Sequence, residues 1–94
     1  MKHAGSQTLD ALAPMLEALR SLDGMREKKT GVFYLKSRAF LHFHEDPARF
    51  YCDVRLQPDR EFERFRVSDE DEQQAVLAQV AATLAAIGQG RAVS

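Results

Sequence analysis

Leu9, Leu12, Leu16, Leu19 and Leu22 recur every three or four residues, the spacing of one helix face, and predict a helix over about 10–22. Pro14 is tolerable there if Asp10 is the N-cap, because first-turn amides have no intrahelical partner. Asp23-Gly24 supplies the stop, since glycine accepts the left-handed conformation that closes many helices. The following MREKKTG reads as a connection or an irregular edge strand. Near the other end Val76, Leu77, Val80, Leu84 and Ile87 form a second helical stripe behind an acidic first turn. Ser68 and Asp71 resemble its capping box, and Gly88 ends it.

Between the two helices the pattern switches to alternation. VFYLK (32–36), AFLHFH (39–44), RFYCDVRL (49–56) and EFERFRV (61–67) are aromatic-rich runs separated by the turn-forming SR, EDPA and QPDR, so they predict an antiparallel meander of four strands. Register follows from asking which pairing keeps apolar side chains together, because a one-residue slip exchanges the two faces. Opposing Tyr34 to His42, His42 to Tyr51 and Tyr51 to Arg66 collects Phe33, Leu35, Leu41, Phe43, Phe50, Cys52, Val54, Phe65 and Val67 on one face. Both helical stripes then pack on that face, and the expected fold is an α+β two-layer sandwich in the order helix, four strands, helix. One domain covers 1–94, with an ordered core of about 9–88 and tails at 1–8 and 89–94.

The same register gathers Tyr34, Lys36, Phe40, His42, His44, Arg49, Tyr51, Asp53, Arg55, Phe62, Arg64 and Arg66 on the second face. Two helices do not readily cover both faces, so any working surface is expected here. Antiparallel sheets often leave one face to water, and cross-strand pairs such as Asp53 with Arg64 and Tyr51 with Arg66 stabilise such a face without further purpose. Alternating rings and guanidinium groups also make a platform for an anionic or planar ligand, single-stranded nucleic acid included. A homodimer burying the face is a third reading, since tyrosine, phenylalanine and arginine are enriched at interfaces. A metal site is a fourth: His42 and His44 point the same way at i, i+2 and need further ligands, for zinc or a similar dication. In this register Asp53 opposes Phe40 and lies diagonal to His42, while Arg49 opposes His44, a charge arrangement unfavourable to a cation.

Composition narrows the classes. The chain is 45% hydrophobic and 29% charged with a formal net charge of -1, which gives no global field for attracting nucleic acid. No apolar run approaches a membrane span or a secretory core, and the single cysteine, Cys52, forms no internal disulfide, so a cytoplasmic location and no membrane partner are expected. Cys52 faces the core side, away from the histidines, and the phosphate-loop, H-E-x-x-H and G-x-S-x-G motifs are missing. The reading is a non-catalytic binding or interaction module with no required cofactor.

LRSLDGMREKKTGVFYLKSRAFLHFHE, a leucine-rich helix, an L-x-G corner, then G-V-F-x-x-K-x-x-A-F, resembles the N-terminal half of the small bacterial YjbR/MmcQ-like proteins over roughly residues 16–56. The resemblance implies a CyaY-like α+β sandwich and, by way of that fold, a DNA-binding role; it brings no catalytic residues. The H-x-H followed by D-V-x-L is also similar to the small domains called luciferase-like.

Overall fold

The computed structural model describes residues 2–57 and 59–88. In chain order the elements are β1 (Lys2–His3), α1 (Ser6–Ala11), α2 (Ala13–Arg20), β2 (Met25–Lys29), β3 (Val32–Leu35), β4 (Arg38–Glu45), β5 (Phe50–Val54), β6 (Glu63–Arg66) and α3 (Glu70–Gly88). The fold is α+β, with β2 to β6 side by side in sequence order, each antiparallel to the next. Among the described residues no helix is long and apolar enough to cross a membrane.

The N-terminal helix is two helices. Leu12 (φ -92°, ψ 10°) breaks it, and Pro14 sits in the first turn of α2, where its missing N–H is harmless. Its ring would clash with the carbonyl of Asp10 in a continuous helix, so the chain restarts two residues earlier. Hydrogen bonds from Leu12 N to Thr8 O (3.0 Å) and from Leu16 N to Leu12 O (2.9 Å) carry the ladder across the junction. Asp10 is therefore inside α1 and caps nothing. Residues 2–8, expected as a tail, hold a strand and the start of α1; the tail expected at 89–94 lies outside the described residues.

The sheet has more strands than the expected four. MREKK is an edge strand with an irregularity between Glu27 and Lys29, and Glu27 ties it to α2 by accepting two hydrogen bonds from Arg20 (2.6 and 2.9 Å) and one from Gly31 N (2.9 Å). β1 pairs with the far end of β4, on the edge that β3 also uses, because β5 occupies the other edge along Leu41–Glu45.

Face assignment follows the expected parity, but partners do not. His42 opposes Asp53 and His44 opposes Tyr51, two residues away from the expected register, while Tyr51 does oppose Arg66. The cause is the turn: Asp46 Oδ1 accepts from Ala48 N (2.8 Å) and Arg49 N (2.7 Å), and Asp46 N donates to Arg49 O (3.0 Å), so Glu45 and Phe50 close the hairpin. Phe40 is the second correction. Phe33 opposes Leu41 but Tyr34 opposes Ala39, leaving Phe40 as the extra residue of a bulge that turns it inward beside Leu41. It is 1% exposed, a core residue rather than part of the polar face.

Leu12, Met15, Leu16 and Leu19 from the first helices and Val76, Val80 and Leu84 from α3 share one core with Phe33, Phe40, Leu41, Phe43, Cys52, Val54 and Val67. Leu35, Phe50 and Phe65 pack at its margin. The α3 cap is Asp69 with Glu72: Asp69 Oδ1 accepts from Glu72 N (2.8 Å), and Glu72 Oε1 accepts from Ser68 N (2.9 Å) and Asp69 N (3.3 Å). Ser68 Oγ instead accepts from Phe50 N at 3.0 Å, fastening β5.

Candidate functional site: a histidine and carboxylate cluster on the outer sheet face

The two-residue offset changes the chemistry of the outer face. His42 and His44 alternate outward from β4, and pairing with β5 sets Asp53 opposite His42 and one step along from His44. Asp53 Oδ2 lies 3.6 Å from His42 Nε2 and 3.3 Å from His44 Nδ1. The donor atoms of His42, His44 and Asp53 are all within 4.8 Å of one another. The sequence register had set Phe40 against Asp53 and Arg49 against His44; neither pairing occurs.

Asp53 is only 6% exposed, as hidden as much of the core, although it faces the outer side. A carboxylate so placed needs its lone pairs met. Arg64, opposite it on β6, donates from Nε to Oδ1 (2.7 Å) and from Nη2 to Oδ2 (2.8 Å), the pairing expected from the sequence. Burial pushes the Asp53 carboxyl up, but the Arg64 hydrogen bonds and charge, with smaller help from the histidines, outweigh it and hold the group below its ordinary value.

Arg64 Nη2 also stands 3.1 Å from His44 Nδ1. A guanidinium can only donate, so this contact is a hydrogen bond in the tautomer that leaves Nδ1 unprotonated, whereas a protonated Nδ1 donates to Asp53 Oδ2 at 3.3 Å instead. Burial, the largest influence, lowers the pKa of both His42 and His44; the attraction of Asp53 opposes it without reversing the direction. Neutral imidazoles beside an ionised carboxylate are metal-ligand chemistry, and Arg64 Nη2 now fills the position between two of the donors.

A third histidine joins them. His3, directly opposite His44 across the β1–β4 pair, places its ring centroid 4.5 Å from that of His44 and 5.7 Å from that of His42. The rings of His42 and His44 meet edge-on at 4.7 Å, and Phe62 closes on His42 at 4.7 Å. Nothing local in the sequence signals His3, which reaches the site only because β1 folds back onto β4.

The other expected face residues divide. Arg55 stacks over Phe62 (4.2 Å) and donates to the carbonyls of Ala39 (3.0 Å) and Arg60 (2.8 Å). Arg66 is engaged by Glu72 of the α3 cap, and the Tyr51 hydroxyl donates to Asp46 at 3.3 Å. Tyr34 lies under Lys28 Nζ (4.4 Å). Lys36 is not on the face: it occupies the two-residue turn between β3 and β4 with φ 60°. Cys52 is fully buried, and burial raises its thiol pKa, so it stands apart from the cluster in both place and reactivity.

No protein-family model matches the chain, and neither a curated protein nor a solved structure matches it. The likeness to YjbR/MmcQ-like proteins therefore rests on the quoted residues alone.

Proposed function

We propose that this chain is a non-catalytic binding module working through its outer sheet face, and that the centre of the face is a site for a divalent metal of the zinc class. One observation carries the reading. Asp53 Oδ2 lies 3.3 Å and 3.6 Å from the two imidazole nitrogens, near the roughly 3.3 Å edge of a tetrahedron whose metal bonds are about 2.0–2.1 Å. Borderline nitrogen donors with one carboxylate oxygen suit zinc and its neighbours better than the hard cations, which take oxygen-rich shells. Without metal, Arg64 Nη2 supplies the positive charge; with metal, it gives up its place on Oδ2.

The reading also takes the fold as a two-layer sandwich, helices over one sheet face, which leaves the other face for a ligand. The arginine platform draws less support. Arg55, Arg64 and Arg66 each already donate to acceptors within the chain, so an anion or single-stranded nucleic acid would have to displace those partners. A cytoplasmic setting fits the neutral balance of charge and the lone buried thiol.

Thermal unfolding with added zinc tests the metal. Binding only the folded state stabilises by about 2.7 kcal/mol at a hundredfold excess over Kd, so the melting temperature climbs with zinc concentration. His42→Ala abolishes the climb. A melting curve unmoved by zinc, nickel or copper overturns the reading.

A further inference from the structure

We infer that His3 is a fourth protein ligand of this centre, so that the metal is held by His3, His42, His44 and Asp53 and ties the N-terminal strand to the sheet. The inference rests on the metal reading above and extends it to a residue on a separate segment of the chain.

Three observations carry it. The first is register. Residues directly opposite in an antiparallel pair project to the same face, so β1 delivers the His3 ring to the side where the cluster lies. Ala4 N donates to Phe43 O at 3.1 Å and continues the pairing, which fixes the backbone of His3 one strand spacing from β4.

The second is the ring arrangement. His3 meets His44 at 4.5 Å and His42 at 5.7 Å between centroids, and those two meet each other at 4.7 Å, so the three imidazoles form one compact group. A group of three side chains able to carry charge, next to Arg64, is a poor choice for packing alone. It is a good choice for a cation that all three can ligate.

The third is room to move. His3 is exposed, and it borders a cleft of about 310 Å³ between β1 and β3, lined also by Leu9, Tyr34, Ala39 and His42. The donor nitrogens of His3 stand outside the 4.8 Å group formed by His42, His44 and Asp53, so ligation requires this exposed ring to turn about its own side-chain bonds toward them.

Elsewhere β1 is lightly held. It is two residues long, Gly5 N donates to Glu45 Oε1 at 2.7 Å, and Lys2 Nζ is 4.0 Å from Glu45 Oε2 on the solvent side. A bond through His3 adds a tether where few exist, so metal binding slows amide exchange in this segment.

Cobalt(II), which takes zinc's place with visible absorption sensitive to ligand number, tests the inference on the full chain. The wild type binds one cobalt per chain with the intense bands of a four-coordinate site. His3→Ala still binds through the remaining three ligands, but with an altered spectrum and an affinity lower by at least the roughly tenfold that even outer-shell changes bring. Glu45→Ala separates ligation from strand docking: it removes the acceptor of Gly5 N and so loosens β1 but keeps the imidazole, and at saturating cobalt it shows the wild-type spectrum. If His3→Ala leaves affinity and spectrum unchanged, His3 is no ligand while the His42, His44 and Asp53 site stands. If Glu45→Ala reproduces the spectrum of His3→Ala at saturation, docking alone is responsible and the inference fails. If the wild type binds neither cobalt nor zinc, the site and the inference fall together.

Discussion

Along β5, Cys52 and Val54 point into the core and Asp53, between them, points out, yet all three are nearly inaccessible: 0%, 0% and 6% exposed. On the inner side burial is itself favourable, about 25 cal/mol per Å² of apolar surface, and asks no particular orientation of its neighbours. On the outer side burial is a cost, offset only because Arg64 meets both carboxylate oxygens and the histidines face one of them. The inner face is therefore a matter of which side chains point in. The outer centre is a matter of which side chain stands opposite which, and a register error that leaves the first untouched rewrites the second.

Breaking the inner face has the largest effect. Phe33→Ala and Phe40→Ala each remove a ring that is 1% exposed, and each is expected to cost about 3–5 kcal/mol in urea unfolding. Phe40 is the sharper choice, because its place in the core depends on the bulge in β4. A loss under about 1 kcal/mol, the usual scale for an exposed position, would put Phe40 back on the outer face.

On the outer face, Arg64→Met leaves Asp53 buried without its main partner. Because the Arg64 side chain is 45% exposed and water can partly replace it, the expected loss is about 1–3 kcal/mol rather than that of a fully buried pair. In an Asp53→Asn background the same substitution costs much less, and the difference measures the coupling. Arg64→Met should also tighten zinc binding, since Nη2 no longer competes for Oδ2. Weaker zinc binding would mean that Arg64 holds Asp53 in place for the metal instead of competing with it.

How far the sequence could be read follows the same division. Leu41 inward and His42 outward, and the same parity along β5, come from two-residue alternation and agree with the structure. Alternation cannot separate registers that differ by two, because both keep every side chain on its face. Turn chemistry could have done so: Asp46-Pro47 has the acceptor and the fixed φ favoured at the first two positions of a common turn, which starts the turn at 46 and pairs Glu45 with Phe50. The bulge was not legible, since Phe40, Leu41 and Phe43 give an apolar run that either arrangement can bury. His3 was not legible either, for it comes beside His44 only through the pairing of β1 with β4.

Acid sharpens a smaller contrast at the sheet edge. The Arg20 hydrogen bonds hold the Glu27 carboxyl below its ordinary value, with burial opposing and Gly31 N assisting. A carboxyl depressed in the folded state contributes stability above its unfolded pKa of about 4.3 and loses it as pH falls through the folded value. Glu27→Gln should lower the urea midpoint at neutral pH and flatten its acid limb; an unchanged limb would remove Glu27 from the account. The smallest effect is at the turn. Lys36 has φ 60°, where glycine is at ease, so Lys36→Gly is expected to stabilise by about 0.5–1 kcal/mol by thermal melting, and a loss would argue against a left-handed residue there.

Calorimetric titration of zinc into the wild type and into the double variant His42→Ala/His44→Ala bears most directly on the outer centre. The account predicts one zinc per chain for the wild type and no specific binding for the double variant, with both chains folded. Equal zinc binding by the two, or none by the wild type, would contradict it.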